Sequence, residues 1–191
     1  MRKGSVERVT GETSISVTVN LDGSGSAQID TPIGFLSHML TSLSTHSMID
    51  VSLKVTGDLK HHIAEDAALC LGRAIREALG DGEPVKRFGY ATVPMDCSLA
   101  SCALDLGGRP YHVVSLGIGG PMVEDLAAED LTHFLESLAT SLQANVHAKV
   151  HYGRNDHHRA EAAFKALALS LREAVARDPR RHGVPSSKGV I

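Results

Sequence analysis

Residues 38–79 read HMLTSLSTHSMIDVSLKVTGDLKHHIAEDAALCLGRAIREAL, and residues 133–175 read HFLESLATSLQANVHAKVHYGRNDHHRAEAAFKALALSLREAV. The two stretches follow one pattern. Each opens on a histidine within an apolar helical run, passes through a short alternating strand and a polar turn, and reaches His-His-x-Ala-Glu at the head of a second helical stripe. His133 follows His38 by 95 residues, while His157 follows His61, and Glu161 follows Glu65, by 96. A single-residue gap in the turn reconciles these offsets. At the histidine and glutamate frequencies of this chain, about 0.03 copies of His-His-x-x-Glu are expected by chance. Two copies in equivalent surroundings mean an internal duplication, and a duplication governs the fold.

Outward from the motifs, the periodicities alternate between strand and helix. Ile15, Val17 and Val19 recur at every second position, as in a half-buried strand, and Asp22-Gly23-Ser24-Gly25 reads as a hairpin turn. Phe35, Leu36, Met39, Leu40 and Leu43 predict a helix; Ile49, Val51, Leu53 and Val55 a strand; Ala64, Ala68, Leu71, Ile75 and Leu79 a second helix. In the second copy, residues 99–117 read as two strands joined near Gly107-Gly108-Arg109-Pro110, and Gly119-Gly120-Pro121 breaks the chain. Leu131, Phe134, Leu135, Leu138 and Leu142 then mark a helix, and Val146, Ala148 and Val150 a strand. Ala160, Phe164, Leu167, Leu171 and Val175 mark the last helix, stopped at Asp178-Pro179. Each half is therefore expected to be α+β, with a sheet on one side and a helix pair on the other. The expected division is residues 1–95 and residues 96–191, two halves of one compact unit. From Arg180 the chain reads as an extended tail.

The duplicated motif points to metal. His61 and Glu65 are four residues apart, as are His157 and Glu161, so each pair shares one face of its helix. An imidazole and a carboxylate converging on one face begin a transition-metal site. Adjacent residues diverge by about 100° around a helix, so His62 is not expected to share an ion with His61, nor His158 with His157. His38 and His133 on the preceding helices complete the supply. Pseudo-symmetry assigns His38, His62, His157 and Glu161 to one site, and His61, His133, His158 and Glu65 to the other. Donors of this kind, without thiolate, suit Mn, Fe, Co or Zn. His46 follows its helix near a turn and reads as a cap or a substrate residue. His112, His147, His151 and His182 show no pattern and read as surface or strand histidines.

Composition narrows the classes. The chain has 191 residues, is 42% hydrophobic and carries a net charge of -3, so no basic field argues for nucleic acid or an anionic membrane. Residues 1–10, MRKGSVERVT, lack the apolar core of a secretory signal, and no apolar run reaches transmembrane length. A cytoplasmic protein is expected. Cys70, Cys97 and Cys102 read as buried thiols in a reducing compartment. Among the basic residues, Lys165 lies four after Glu161 and would sit beside the metal. Arg87 and Arg109 are two further candidates. Ser186-Ser187-Lys188-Gly189 offers hydroxyls, backbone N–H groups and an ammonium, a mixture suited to phosphate.

Taken together, residues 33–46 (IGFLSHMLTSLSTH), 57–79 (GDLKHHIAEDAALCLGRAIREAL), 86–96 (KRFGYATVPMD), 104–111 (LDLGGRPY), 153–173 (GRNDHHRAEAAFKALALSLRE) and 184–190 (VPSSKGV) resemble the imidazoleglycerol-phosphate dehydratase family, in order and over nearly the whole chain. The resemblance implies two duplicated halves with helices packed between two mixed four-stranded sheets. It implies two manganese ions per chain and a shell of twenty-four subunits with active sites between chains. By the same resemblance the metal ligands are His38, His61, His62, Glu65, His133, His157, His158 and Glu161. The substrate contacts are Glu12, His46, Arg87, Arg109, Lys165, Ser186, Ser187 and Lys188. Glu12, Glu65 and Glu161 are the candidate acid–base groups for removing water from imidazoleglycerol phosphate to give imidazole-acetol phosphate. Three departures stand out. Ser37 replaces the family's usual Asp, Ser42 its usual Gln, and Leu59-Lys60 runs straight into His61 where the family has a longer turn. Two other readings fit parts of the pattern: a dinuclear metallohydrolase, and an α+β RNA-binding module. The net charge and the histidine clusters weigh against the second.

Overall fold

The computed structural model describes residues 1–80, 84–181 and 183–187. The first half runs β1 (Lys3–Val9), β2 (Thr13–Asn20), β3 (Ala27–Asp30), α1 (Gly34–Ser47), β4 (Asp50–Gly57) and α2 (Lys60–Leu79). The second runs β5 (Phe88–Met95), β6 (Ser98–Asp105), β7 (Tyr111–Ser115), a small hairpin of β8 (Met122–Val123) and β9 (Leu126–Ala127), α3 (Ala128–Leu142), β10 (Asn145–Tyr152) and α4 (Asp156–Ala174). The sheets have orders β1-β2-β4-β3 and β5-β6-β10-β7, the same topology twice. Both are mixed, because β3 runs parallel to β4 and β7 parallel to β10.

The helices lie between the sheets. α2 packs on β1, β2 and β4, and α4 on β5, β6 and β10. Helix packs on helix across the halves, α1 against α4 and α2 against α3. The expected helix pair within each half is thus replaced by two pairs that each join both halves. Burying both helix faces explains alanine-rich stripes: Ala64, Ala67, Ala68, Ala74 in α2 and Ala160, Ala162, Ala163, Ala166 in α4 are all buried. Phe134 and Phe164 meet at the centre with ring centroids 5.6 Å apart.

Two details repeat between the halves. Met48 and Gln143, the C-caps of α1 and α3, both adopt left-handed backbone (φ 61° and 57°). Gly4 and Gly89 let a strand press on a helix: a Cβ would stand 2.0 Å from the Ala74 carbonyl oxygen at Gly4, and 1.9 Å from that of Ser170 at Gly89.

Several expectations are corrected. The Asp22–Gly25 turn joins no hairpin, since β4 lies between β2 and β3. Likewise β6 and β7 flank β10 rather than pairing with each other. The alternation pattern passed over β1 because Gly4 and Val6 are its only fully buried apolar-type positions facing α2. In β5 the small Gly89 and Ala91 face inward, whereas Phe88 and Tyr90 are exposed, so the large residues point the wrong way for an alternation argument. Because β5 pairs with β6, the sheets divide the chain ahead of Phe88. We propose that the repeat boundary lies there rather than at residue 95. Cys70 and Cys102 are buried, but Cys97 is only half-buried.

Candidate metal centres

Both motifs open a helix, with the paired histidines in its first turn and the glutamate in its second. Leu59 precedes α2 without a side-chain cap, while Asn155 caps α4 by accepting from the His158 N–H at 3.1 Å. Cross-half helix packing then brings ligands from different halves together. His38 on α1 meets His157 and Glu161 on α4; His133 on α3 meets His61 and Glu65 on α2. In each set the donor atoms all lie within 4.8 Å of one another.

The geometry of the two sets is similar. Glu65 lies 3.9 Å from His61 Nε2 and 3.3 Å from His133 Nε2. Glu161 lies 3.4 Å from His157 Nε2 and 3.6 Å from His38 Nε2. All four of these imidazoles therefore turn Nε2 toward the carboxylate. Two imidazole nitrogens and one carboxylate at this spacing fit a divalent transition-metal ion.

The four motif histidines also have their other ring nitrogen engaged. Nδ1 of His61 meets Asp130 at 2.6 Å, that of His62 meets Asp58 at 2.8 Å, that of His157 meets Glu124 at 3.0 Å, and that of His158 meets the Cys97 sulfur at 3.5 Å. Fixing Nδ1 fixes the tautomer and leaves Nε2 for a metal. His62 and His158 join neither set within the chain. His62 turns to Asp58, with Glu12 at 4.0 Å, and His158 Nε2 lies 3.3 Å from Asp96. The structure thus brings together three of the four ligands expected at each site and leaves the fourth apart.

The electrostatics differ between the sets. Glu161 is buried, and Lys165 Nζ sits 2.8 Å from it. Burial pushes the Glu161 carboxyl up, but Lys165 and His38 outweigh it, and the carboxyl titrates below its ordinary range. Burial, followed by the charge of Lys165, lowers His46 below its ordinary value. Opposite His62, the Asp58 carboxylate raises the imidazole. Hydrogen bonds from the Arg154 N–H, then from His158 and Ser98, bring the Cys97 thiol down to about 6.

The remaining candidates spread around these sets. Glu12 lies exposed between β1 and β2. Arg87 has left-handed backbone (φ 74°) and grips Asp105 through Nε (2.6 Å) and Nη2 (3.0 Å). Its Nη1 donates to the Pro185 carbonyl at 2.9 Å, holding the start of the tail beside Ser186 and Ser187. Arg109 is exposed in the β6–β7 loop. Ser42 is buried, and its hydroxyl has no hydrogen-bond partner among the described residues. Lys188 and His182 lie outside the described residues. His112, His147 and His151 are exposed on β7 and β10, as expected.

Three contributors escaped the sequence. Asp130 is one of two acidic residues in the first turn of α3, where a carboxylate also serves the helix dipole, so nothing singled it out. Glu124 and Asp125 form the tip of the β8–β9 hairpin, whose two-residue strands are too short to show an alternation. Asp125 accepts from the N–H groups of Gly34 (2.7 Å) and Phe35 (2.9 Å), capping α1 from the other half.

Sequence and structural comparisons place this chain with one family. The family model described as Imidazoleglycerol-phosphate dehydratase matches residues 31–171. The imidazoleglycerol-phosphate dehydratase of Methanothermobacter thermautotrophicus is 48% identical over 195 residues, covering 100% of this chain and 98% of that protein. That of Chloroflexus aggregans is 47% identical over 194 residues, covering 100% and 95%. The crystal structure of the Pyrococcus furiosus enzyme, solved with (S)-C348, superposes with a TM-score of 0.86 at 38% identity, covering 97% of this chain and 100% of the other.

Proposed function

Because this chain belongs to the imidazoleglycerol-phosphate dehydratase family, it is a hydro-lyase of histidine biosynthesis, and we propose that its two His–His–Glu sets are the metal sites on which the dehydration depends. The enzyme removes water from imidazoleglycerol phosphate to give imidazole-acetol phosphate, which displaces the hydrolase and RNA-binding readings. The observation that carries the metal assignment is the convergence of two imidazole Nε2 atoms on each of two carboxylates, in equivalent places of a duplicated fold.

We propose two Mn²⁺ ions per chain, the first on His38, His62, His157 and Glu161, the second on His61, His133, His158 and Glu65. When bound, such ions would make the substrate's imidazole N–H easier to deprotonate, and the deprotonated ring is the better source of electrons for expelling the hydroxyl. Within one chain His62 and His158 stand apart from the sets, which supports their serving sites on a neighbouring copy. Exposed Phe88, Tyr90, Tyr111 and Val113 on the outer face of the second sheet also favour assembly. The proposed state is a shell of twenty-four subunits in the cytoplasm. Among the described residues, no helix is long and apolar enough to cross a membrane.

The chain's own groups have distinct tasks in this reading. Glu65 and Glu161 are held among imidazoles, which leaves Glu12, exposed beside His62, as the carboxylate best able to move a proton on the glycerol carbons. Lys165, Arg109, Ser186, Ser187 and Lys188 bind the phosphate and fix the substrate's direction. Arg87 anchors the tail that carries the serines. His46, beside Lys165 and kept neutral at pH 7, supplies a hydrogen bond without adding charge.

Treatment with a chelator is expected to abolish formation of imidazole-acetol phosphate and to leave a smaller folded oligomer on size exclusion with light scattering. Added Mn²⁺ should restore both. A protein that binds no divalent metal at neutral pH overturns the metal reading, and unchanged particle size after confirmed metal loss overturns the intersubunit ligands.

A further inference from the structure

The two sets have matching ligands but opposite surroundings. Around His61, Glu65 and His133 stands a second carboxylate, Asp130, whose side chain is 7% exposed and lies 2.6 Å from His61 Nδ1. His61 and His133 stack with ring centroids 5.2 Å apart and planes within 12°. Among the described residues no lysine or arginine pairs with Glu65 or Asp130. Around His38, His157 and Glu161 the balance is reversed. Lys165 already neutralises Glu161 at 2.8 Å. The carboxylate behind His157 is Glu124, 60% exposed on a hairpin tip. The position equivalent to Asp130 in the first half is Phe35, which packs on His157 with centroids 5.0 Å apart. The position equivalent to Lys165 is Leu69.

A dication gains from two uncompensated carboxylates, one of them buried where water screens it poorly. It gains less where a lysine competes for the only buried carboxylate. A buried carboxylate on Nδ1 also holds the imidazole in the ligating tautomer and raises its basicity, whereas a solvated partner on a loop does so weakly.

We infer that the two metal sites are unequal: the His61–Glu65–His133 site binds its ion more tightly, and Asp130 is the positioning residue that makes it so. The inference rests on the metal reading above. Lys165, paired with Glu161 at 2.8 Å, holds the other site weaker.

The test is direct metal binding, without turnover. Chelator-treated protein, checked for fold by circular dichroism, is titrated with Mn²⁺ and free ion is followed by electron paramagnetic resonance. Two classes of site are expected, separated by at least about 10-fold in Kd. Asp130→Ala should weaken the tighter class by about 10–100-fold, the usual cost of losing a carboxylate behind a ligating histidine. Asp130→Asn keeps an acceptor for Nδ1–H and should fall between. Lys165→Met should tighten the weaker class and leave the other unchanged, which is informative even if the Asp130 variants fold poorly. Two sites of equal affinity in the native protein overturn the inference while leaving the metal reading intact, as does an effect of Asp130→Ala on the weaker class alone. Absence of any binding fails the metal reading itself.

Discussion

Glu65 and Glu161 sit one turn into equivalent helices, each facing two imidazole Nε2 atoms, yet they live in different electrostatic worlds. Glu65 is part-exposed and has only histidines around it, with Asp130 standing behind one of them. Glu161 is buried and shares its charge with Lys165. The comparison separates what a duplication preserves from what it does not. Ligand geometry is preserved because helix periodicity and helix packing set it, and both copies inherit these whole. Neighbouring charge is not preserved, because single positions and inserted loops set it: Lys165 against Leu69, Asp130 against Phe35, and the β8–β9 hairpin.

The comparison can be broken first at the carboxylates themselves. Glu65→Gln and Glu161→Gln should each cost more than about 100-fold in dehydration, since a ligand counts for more than the outer partners whose loss costs about 10–100-fold. Each should also remove one ion per chain by metal analysis. If either variant keeps both ions, the assignment of that site fails.

Where the halves agree, the effects should agree. Gly4→Ala and Gly89→Ala each drive a methyl into a helix carbonyl and are expected to destabilise the fold by about 3 kcal/mol, the upper end for overpacking. Denaturant midpoints should fall by similar amounts. A tolerant Gly89→Ala would mean that the second strand–helix contact is looser than the first.

Acid should then reveal the difference between the sites. A ligating imidazole must be neutral, so both sites lose metal as pH falls through about 6.5. The His38–His157–Glu161 site, with its carboxylate already shared, should empty at the higher pH. Retained-metal profiles measured after exchange into graded buffers would show two steps; a single step would argue against unequal sites.

The smallest effect is expected at Glu124. Exposed on a hairpin tip, it orients His157 through solvent-screened contact, and Glu124→Gln should change metal affinity at that site by less than about 10-fold, below the range for buried outer partners. A loss as large as that at Asp130 would show that burial is not what separates the two carboxylates.

Much of the molecule was legible in its residues. The duplication, the four helices, the strands around residues 15–19, 49–55 and 146–150, and the six residues of the two sets all followed from spacing, because helix and strand periods are local properties of the chain. The divergence of His62 and His158 from their neighbours was equally a matter of helix geometry. β1 and β5 were not legible, since a strand that presses glycine against a helix carries no apolar alternation. Nor could spacing reveal that α1 pairs with α4 and α2 with α3, or that β4 and β10 thread between strands adjacent in sequence. Those choices depend on which surfaces bury best together, a comparison of whole arrangements. Asp130, Glu124 and Asp125 belong to the same class. Their sequence context is that of ordinary helix starts and turns, and only packing across the two halves brought each carboxylate to the histidine or helix end it serves.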